Sequence, residues 1–128
     1  MYDEIVRCID MVLSALNSDS LSFITNSFIY GSVAKHCIHE GSDLDLLLIG
    51  SKSRNIDLIG FINKTLDSYN NTNIEIDMKY YDIETFRSIR DTNVFLNNIK
   101  NDAIRLEDAP NELLRFCSKE FKDCRTSL

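Results

Sequence analysis

The sequence predicts a single α/β domain of the α+β type over residues 1–128, built as a small mixed β-sheet with helices packed on one face. Segments with the apolar spacing of helices alternate with segments of strand character in the order αβ(α)βαβ, and further helices follow. The 128-residue chain is long enough for one hydrophobic core and too short for two. Its 44% hydrophobic and 27% charged residues are a normal globular balance.

Each element follows from a local pattern. Ile5, Ile9 and Leu16 share one side of the first helix, and the run 46–49 is apolar throughout, as in a central strand. Residues 74–81 alternate apolar and polar side chains, which indicates a half-buried strand. The predicted helices are 3–17, 33–39, 56–70, 83–90, 92–101 and 110–124, and the predicted strands are 27–30, 42–49, 74–81 and 104–106.

The composition excludes several classes of function. Fourteen Lys and Arg residues against twenty Asp and Glu give a formal net charge of -6, which argues against general phosphate neutralisation on nucleic acid. No apolar stretch approaches the length of a membrane span, and the acidic start lacks the basic flank of a signal peptide. Four cysteines without Cys-x-x-Cys spacing suit reduced thiols. We therefore expect a cytoplasmic protein without direct nucleic-acid or membrane binding.

The segment from Gly31 to Asp45 carries the candidate chemistry. Gly31 and Ser32 follow a predicted strand and open a predicted helix, so their backbone N–H groups suit a polyphosphate. Ten residues later, Asp43 and Asp45 lie two apart on a predicted strand, and both carboxylates emerge on the same face. Two unpaired carboxylates repel each other, and a divalent cation such as Mg²⁺ removes that cost.

A third acid comes from the polar face of the 74–81 strand, where alternation alone does not separate Asp77 from Glu75. Three acids and a phosphate-binding turn are the parts of two-metal phosphoryl or nucleotidyl transfer. The alternative is structural: a turn followed by an edge strand with solvated acids. The apolar run 46–49 favours the functional interpretation, because acids that lead into a buried strand are costly without a purpose.

The stretches Gly31-Ser32-Val33-Ala34-Lys35 and Ser42-Asp43-Leu44-Asp45-Leu46 resemble the signature of the minimal nucleotidyltransferases of the DNA polymerase β superfamily. That pattern is Gly-Ser-x-Ala-Arg-Gly followed by Ser-Asp-x-Asp and a hydrophobic residue. The resemblance spans about residues 25 to 107, including segments near 95–99 and 104–107. This chain has Lys35 where Arg is usual and His36 where Gly is usual; lysine keeps the charge but loses the planar fork of arginine.

The resemblance implies a nucleotidyltransferase fold and a role for each matched position. Gly31, Ser32, Lys35 and Ser42 would bind the nucleotide, with Gly31 and Ser32 on its phosphates. Asp43 and Asp45 would bind Mg²⁺, with two ions expected and ATP as substrate. Asp77 would be the third acid, as a metal ligand or general base, because the family usually has Asp followed by a hydrophobic residue.

The resemblance also implies an activity: transfer of AMP from ATP to an acceptor hydroxyl. Similar proteins are antitoxins that adenylylate (AMPylate) a tyrosine of a partner HEPN ribonuclease toxin. The chain has no room for the additional helical domain of larger relatives, so a partner or a second copy would complete the site. Two alternatives stay open: a catalytically weak or inactive module that neutralises its partner by contact, and a small-molecule nucleotidyltransferase, like those that modify aminoglycosides, working as a homodimer.

Overall fold

The computed structural model describes residues 2–35, 37–38 and 41–118. The strands are β1 (Ile24–Tyr30), β2 (Leu44–Gly50), β3 (Ile76–Asp82) and β4 (Ile104–Arg105). The helices are α1 (Tyr2–Leu16), α2 (Gly31–Ala34), α3 (Ile56–Tyr69), α4 (Ile83–Ile89), α5 (Val94–Ile99) and α6 (Ala109–Ser118). Short 3₁₀ turns lie at Asp19–Leu21 and Leu106–Asp108.

The four strands form one mixed sheet in the order β3-β2-β1-β4. β1 pairs antiparallel with β2 and with β4, whereas β2 and β3 are parallel because α3 carries the chain back to the starting end of the sheet. β2, with its apolar run, therefore lies between two neighbours, as the sequence predicts. The end of β1 and the beginnings of β2 and β3 meet at one end of the sheet.

Three helices are capped by the side chain that precedes them. Asn55 accepts a hydrogen bond from the N–H of Leu58 at the start of α3, at 2.8 Å. Asp82 and Asn93 do the same for α4 and α5, at 2.9 and 3.0 Å. Such caps satisfy N–H groups that have no partner inside the helix, and they fix where each helix begins.

The main core fills one face of the sheet. Alternate residues of β2, among them Leu46 and Leu48, face this side and are fully buried. They share a cluster with Ile9 of α1, Ile62 of α3 and Leu113 of α6. The long helices are therefore layered on one face, as predicted.

A second, smaller cluster lies on the opposite face. Tyr30, Leu47 and Leu96 form its buried centre. The partly buried side chains around them are Phe28, Tyr81, Phe86, Ile89, Phe95 and Ile99. The short helices α4 and α5 thus cover part of the face that carries the acids. The sequence pattern predicted no helices on that face.

One local expectation is wrong. The helix expected over 33–39 is the single turn α2: it begins two residues earlier, and Cys37 and Ile38 are not helical. Tyr80 of β3 is 1% exposed in the main core, and its hydroxyl donates to the carbonyl of Lys52 at 2.6 Å. Residues 119–124 of the last predicted helix lie outside the described residues. Across the described ranges, no helix has the length and apolarity to cross a membrane.

Candidate functional site

Three polar side chains stand in one row across the sheet. Tyr30 on β1 is paired with Asp45 on β2, and Asp45 is paired with Asp77 on β3. Neighbouring strands lie about 4.8 Å apart, and paired positions point to the same face. The row lies where β1 ends and β2 and β3 begin, and it faces away from the main core.

Gly31, directly after Tyr30, lies against the carboxylate of Asp45. Its φ of +74° is a left-handed conformation that side chains rarely adopt. A Cβ at this position would lie 3.1 Å from Cγ of Asp45 and closer still to Oδ2. Two independent features therefore require glycine at this position: the positive φ, and the lack of space for a side chain beside the carboxylate of Asp45. From the sequence, Gly31 was predicted only to bind a phosphate through its backbone. Its contact with Asp45 is visible only in the structure.

The environment of Asp45 disfavours its negative charge. Burial raises the pKa of this carboxyl, and the neighbouring charges of Asp77 and Asp43 raise it further, while Lys79 lowers it. The acids predicted from the sequence therefore interact. Such a site favours either a proton or a cation at Asp45.

The donor chemistry of the row suits a hard divalent cation. Asp45 and Asp77 offer carboxylate oxygens on adjacent strands, the type of ligand that Mg²⁺ prefers. Asp43 is exposed just before β2. Within the described ranges, no three His, Cys, Asp or Glu side chains already converge as a metal site. Glu75, the alternative third acid, lies just before β3, and its carbonyl accepts from the N–H of Leu44 at 2.8 Å.

Tyr30 closes the row on the β1 side. It is 7% exposed, and the edge of its ring packs on Phe95 of α5 with ring centres 5.2 Å apart. Nζ of Lys79 lies 5.6 Å from the centre of the Phe95 ring. Burial, and then the charges of Asp45 and Asp77, raise the pKa of the Tyr30 hydroxyl well above its usual range. No sequence signal pointed to this residue, because an aromatic before Gly31 equally suits a strand end.

The other predicted nucleotide-binding residues surround this end of the sheet. Ser32 is the second residue of α2, and its carbonyl accepts from the N–H of Cys37 at 2.8 Å. Lys35 is exposed directly after α2. Ser42 is 6% exposed and lies just before Asp43. The structure thus places all seven predicted residues near the end of β1 and the starts of β2 and β3, and their contacts with a nucleotide stay predictions.

Two cavities of about 260 and 390 Å³ lie further along the same face, both lined by Phe28, Phe86 and Arg90. Together we call them the α4 groove. Arg87 and Arg90 are exposed at its rim, as is Lys100. Sequence patterns did not reveal this groove, because its walls come from segments that are distant along the chain.

Comparison with known proteins gives a likeness of fold. Neither a protein-family model nor a curated protein matches the sequence. The chain is similar to a chain of a toxin–antitoxin crystal structure with AMP-PNP, at 13% identity over 86% of each chain and a TM-score of 0.50. It is also similar to a protein described as a candidate nucleotidyltransferase from Sulfolobus solfataricus, at 17% identity over 82% of this chain and 78% of that one, with a TM-score of 0.46.

The first likeness covers nearly the whole chain and shows a shared architecture. The chain shares its mixed α/β fold with that chain of the toxin–antitoxin structure. The α/β fold class predicted from the sequence, a small mixed sheet with helices, is therefore confirmed.

Proposed function

We propose that this protein is a Mg²⁺-dependent nucleotidyltransferase that moves AMP from ATP to a hydroxyl of a partner protein. The observation that carries the proposal is the contact between the Gly31 turn and the carboxylate of Asp45, with Asp77 paired beside it. A backbone turn open to phosphate and a pair of acids for a cation are then parts of one site.

In the proposed reaction, the acceptor oxygen attacks the α-phosphorus of ATP and the bond to the leaving pyrophosphate breaks. The bound cation would supply neutralisation of the phosphate charge and of the charge that develops on the leaving group. Asp43 and Asp45 would hold it, with Asp77 as third ligand or as the base that accepts the proton of the attacking hydroxyl. Gly31 and Ser32 would direct backbone N–H groups at the phosphates, and the exposed Lys35 would add a positive charge.

The proposed acceptor is a tyrosine hydroxyl of a HEPN toxin, with this chain as its antitoxin. The shared fold with a toxin–antitoxin chain supports a protein partner. The α4 groove gives a second support: its aromatic floor and its three exposed cations, against one exposed acid, Asp91, suit an acidic segment that carries an apolar side chain. Phe28 and Leu47 in this groove are paired and lie two residues from Tyr30 and Asp45, so a bound segment would pass beside the acids.

The test takes any HEPN-domain protein encoded next to this chain's gene and measures its intact mass after incubation with this protein, ATP and Mg²⁺. We expect a gain of whole AMP units that persists after denaturation. Asp45→Asn should abolish the gain. Asp67→Asn, the same change at an exposed position on α3, should leave it intact.

Three other results would overturn the proposal. A tight complex without any mass gain would indicate neutralisation by contact alone. Neither gain nor complex, together with modification of a small molecule by a homodimer, would indicate the small-molecule reaction. A gain that Asp45→Asn retains would mean that the chemistry lies elsewhere.

A further inference from the structure

The hydroxyl of Tyr30 is a buried polar group without a partner. Its oxygen is shielded from solvent, and no described residue forms a hydrogen bond with it. The remainder of the side chain is well packed, against Phe95 and within the second cluster. An unpartnered buried hydroxyl costs stability, whereas phenylalanine at the same position would fill the same packing without that cost.

Tyr30 stands beside the acids. Tyr30 and Asp45 are paired on the same face of the sheet, with Asp77 next in the row. A tyrosine hydroxyl carries a proton at neutral pH, so it can serve the site as a hydrogen-bond donor. A ligand held by Asp45 and Asp77 would place an oxygen next to it.

We infer that Tyr30 is a further binding residue of this site: its hydroxyl donates a hydrogen bond to an oxygen of the ligand that the two acids hold, either a water of the cation or an oxygen of the nucleotide. The inference rests on the proposed function and adds a residue to its site. It explains why a tyrosine, rather than a phenylalanine, lies at the centre of an otherwise apolar cluster.

The experiment compares Tyr30→Phe with the unchanged protein in two measurements. Unfolding without ligand should show an equal or higher midpoint for the variant, because a buried unpartnered group is removed. Affinity for Mg²⁺ with α,β-methylene ATP, an analogue that resists cleavage at the transferred bond, should fall about two- to tenfold, as expected for one hydrogen bond. Tyr81→Phe is the matched control: it makes the same change on the same face, outside the row, and should leave the affinity unchanged.

A second arm uses Mg²⁺ alone. If Mg²⁺ alone raises the unfolding midpoint of the unchanged protein more than that of Tyr30→Phe, the hydroxyl donates to a water of the cation. If the two midpoints differ in their response only when the analogue is also present, the hydroxyl donates to an oxygen of the nucleotide. Equal affinity of both proteins for the analogue would overturn the inference, as would a lower midpoint of the ligand-free variant, since the hydroxyl would then have a partner within the protein. If the unchanged protein does not bind the analogue at all, the result contradicts the proposed function itself, and with it the inference about Tyr30.

Discussion

At the residue scale, the candidate site depends on the contact between Gly31 and Asp45. The sequence pattern singled out both positions as candidates, Gly31 for its place between a strand and a helix and Asp45 for its spacing from Asp43. It did not predict their contact, since the distance between a backbone turn and a side chain on the next strand depends on strand pairing. Tyr30 was missed for the same reason, because its neighbours Asp45 and Phe95 come from other strands and helices.

Replacing Gly31 by alanine should damage the site more than the fold. A left-handed alanine costs about 1–2 kcal/mol, and the new methyl group forces the Asp45 carboxylate to turn away, for about 1–3 kcal/mol more. Denaturant unfolding measures the loss of stability, and binding of α,β-methylene ATP with Mg²⁺ should fall below detection.

Gly41 provides the matched control, because its φ is also positive, +86°, but no atom from the described part of the chain, its neighbours apart, lies within 4 Å of its added Cβ. Gly41→Ala should therefore cost only the backbone strain and keep nucleotide binding. If both variants lose the same free energy of unfolding and both still bind the analogue, the Gly31–Asp45 contact has no role in the site.

Asp45→Asn should stabilise the protein at neutral pH when no divalent cation is present. Burial, then Asp77 and Asp43, raise the pKa of Asp45 above its ordinary value of 3.8. The stability that its protonated form contributes is therefore complete below that value and is lost as the pH rises through the raised pKa. Asparagine stays neutral, so the variant should be more stable than the unchanged protein at pH 7, with a difference that disappears towards pH 3.

Urea unfolding with a chelator across this pH range measures the effect, with Asp67→Asn as the control at an exposed site. A variant that is less stable than the unchanged protein at pH 7 would show that the charge of Asp45 stabilises the fold, which is the opposite of what its burial beside two other acids predicts.

At the element scale, local pattern was sufficient for most of the fold. The helical spacing of Ile5, Ile9 and Leu16 predicted α1, and the apolar run 46–49 predicted a central strand. The predicted bounds of α2 were wrong at both ends, because the helix includes Gly31 and Ser32 themselves and ends after one turn. The position of α4 and α5 over the acid-bearing face could not be predicted from the sequence, because short helices with a few apolar residues can pack on either face of a sheet.

At the same scale, the α4 groove leads to a prediction about charge reversal at its rim. Arg87→Glu with Arg90→Glu should lower the rate of partner modification by at least about tenfold, since like charges across an interface are strongly unfavourable. Binding of the nucleotide analogue should stay unchanged, because the groove lies beside the row of acids. Initial rates at limiting partner concentration, measured by intact mass, are the readout.

Arg7→Glu with Lys64→Glu makes the same change in net charge on exposed positions of α1 and α3, helices that pack on the opposite face. This control should modify the partner at the rate of the unchanged protein. An equal loss in both double variants would mean that overall charge, and not the groove, governs the encounter.

At the scale of the whole molecule, the long helices and the main core support one side of the sheet, and the other side carries both the row of acids and the α4 groove. The net charge of -6 predicted little general affinity for nucleic acid, yet it did not reveal that cations gather at the rim of one groove. Composition averages over the surface, whereas a site depends on where the fold places each charge.

The central claim is that Gly31, Asp45 and Asp77 form one cation-dependent nucleotide site. The most direct test is calorimetric binding of α,β-methylene ATP to the unchanged protein, with Mg²⁺ and with a chelator, beside Asp77→Asn and Glu75→Gln. We predict binding that requires Mg²⁺, is lost in Asp77→Asn and is kept in Glu75→Gln. Absence of binding to the unchanged protein, or binding that neither the chelator nor Asp77→Asn weakens, would contradict the claim.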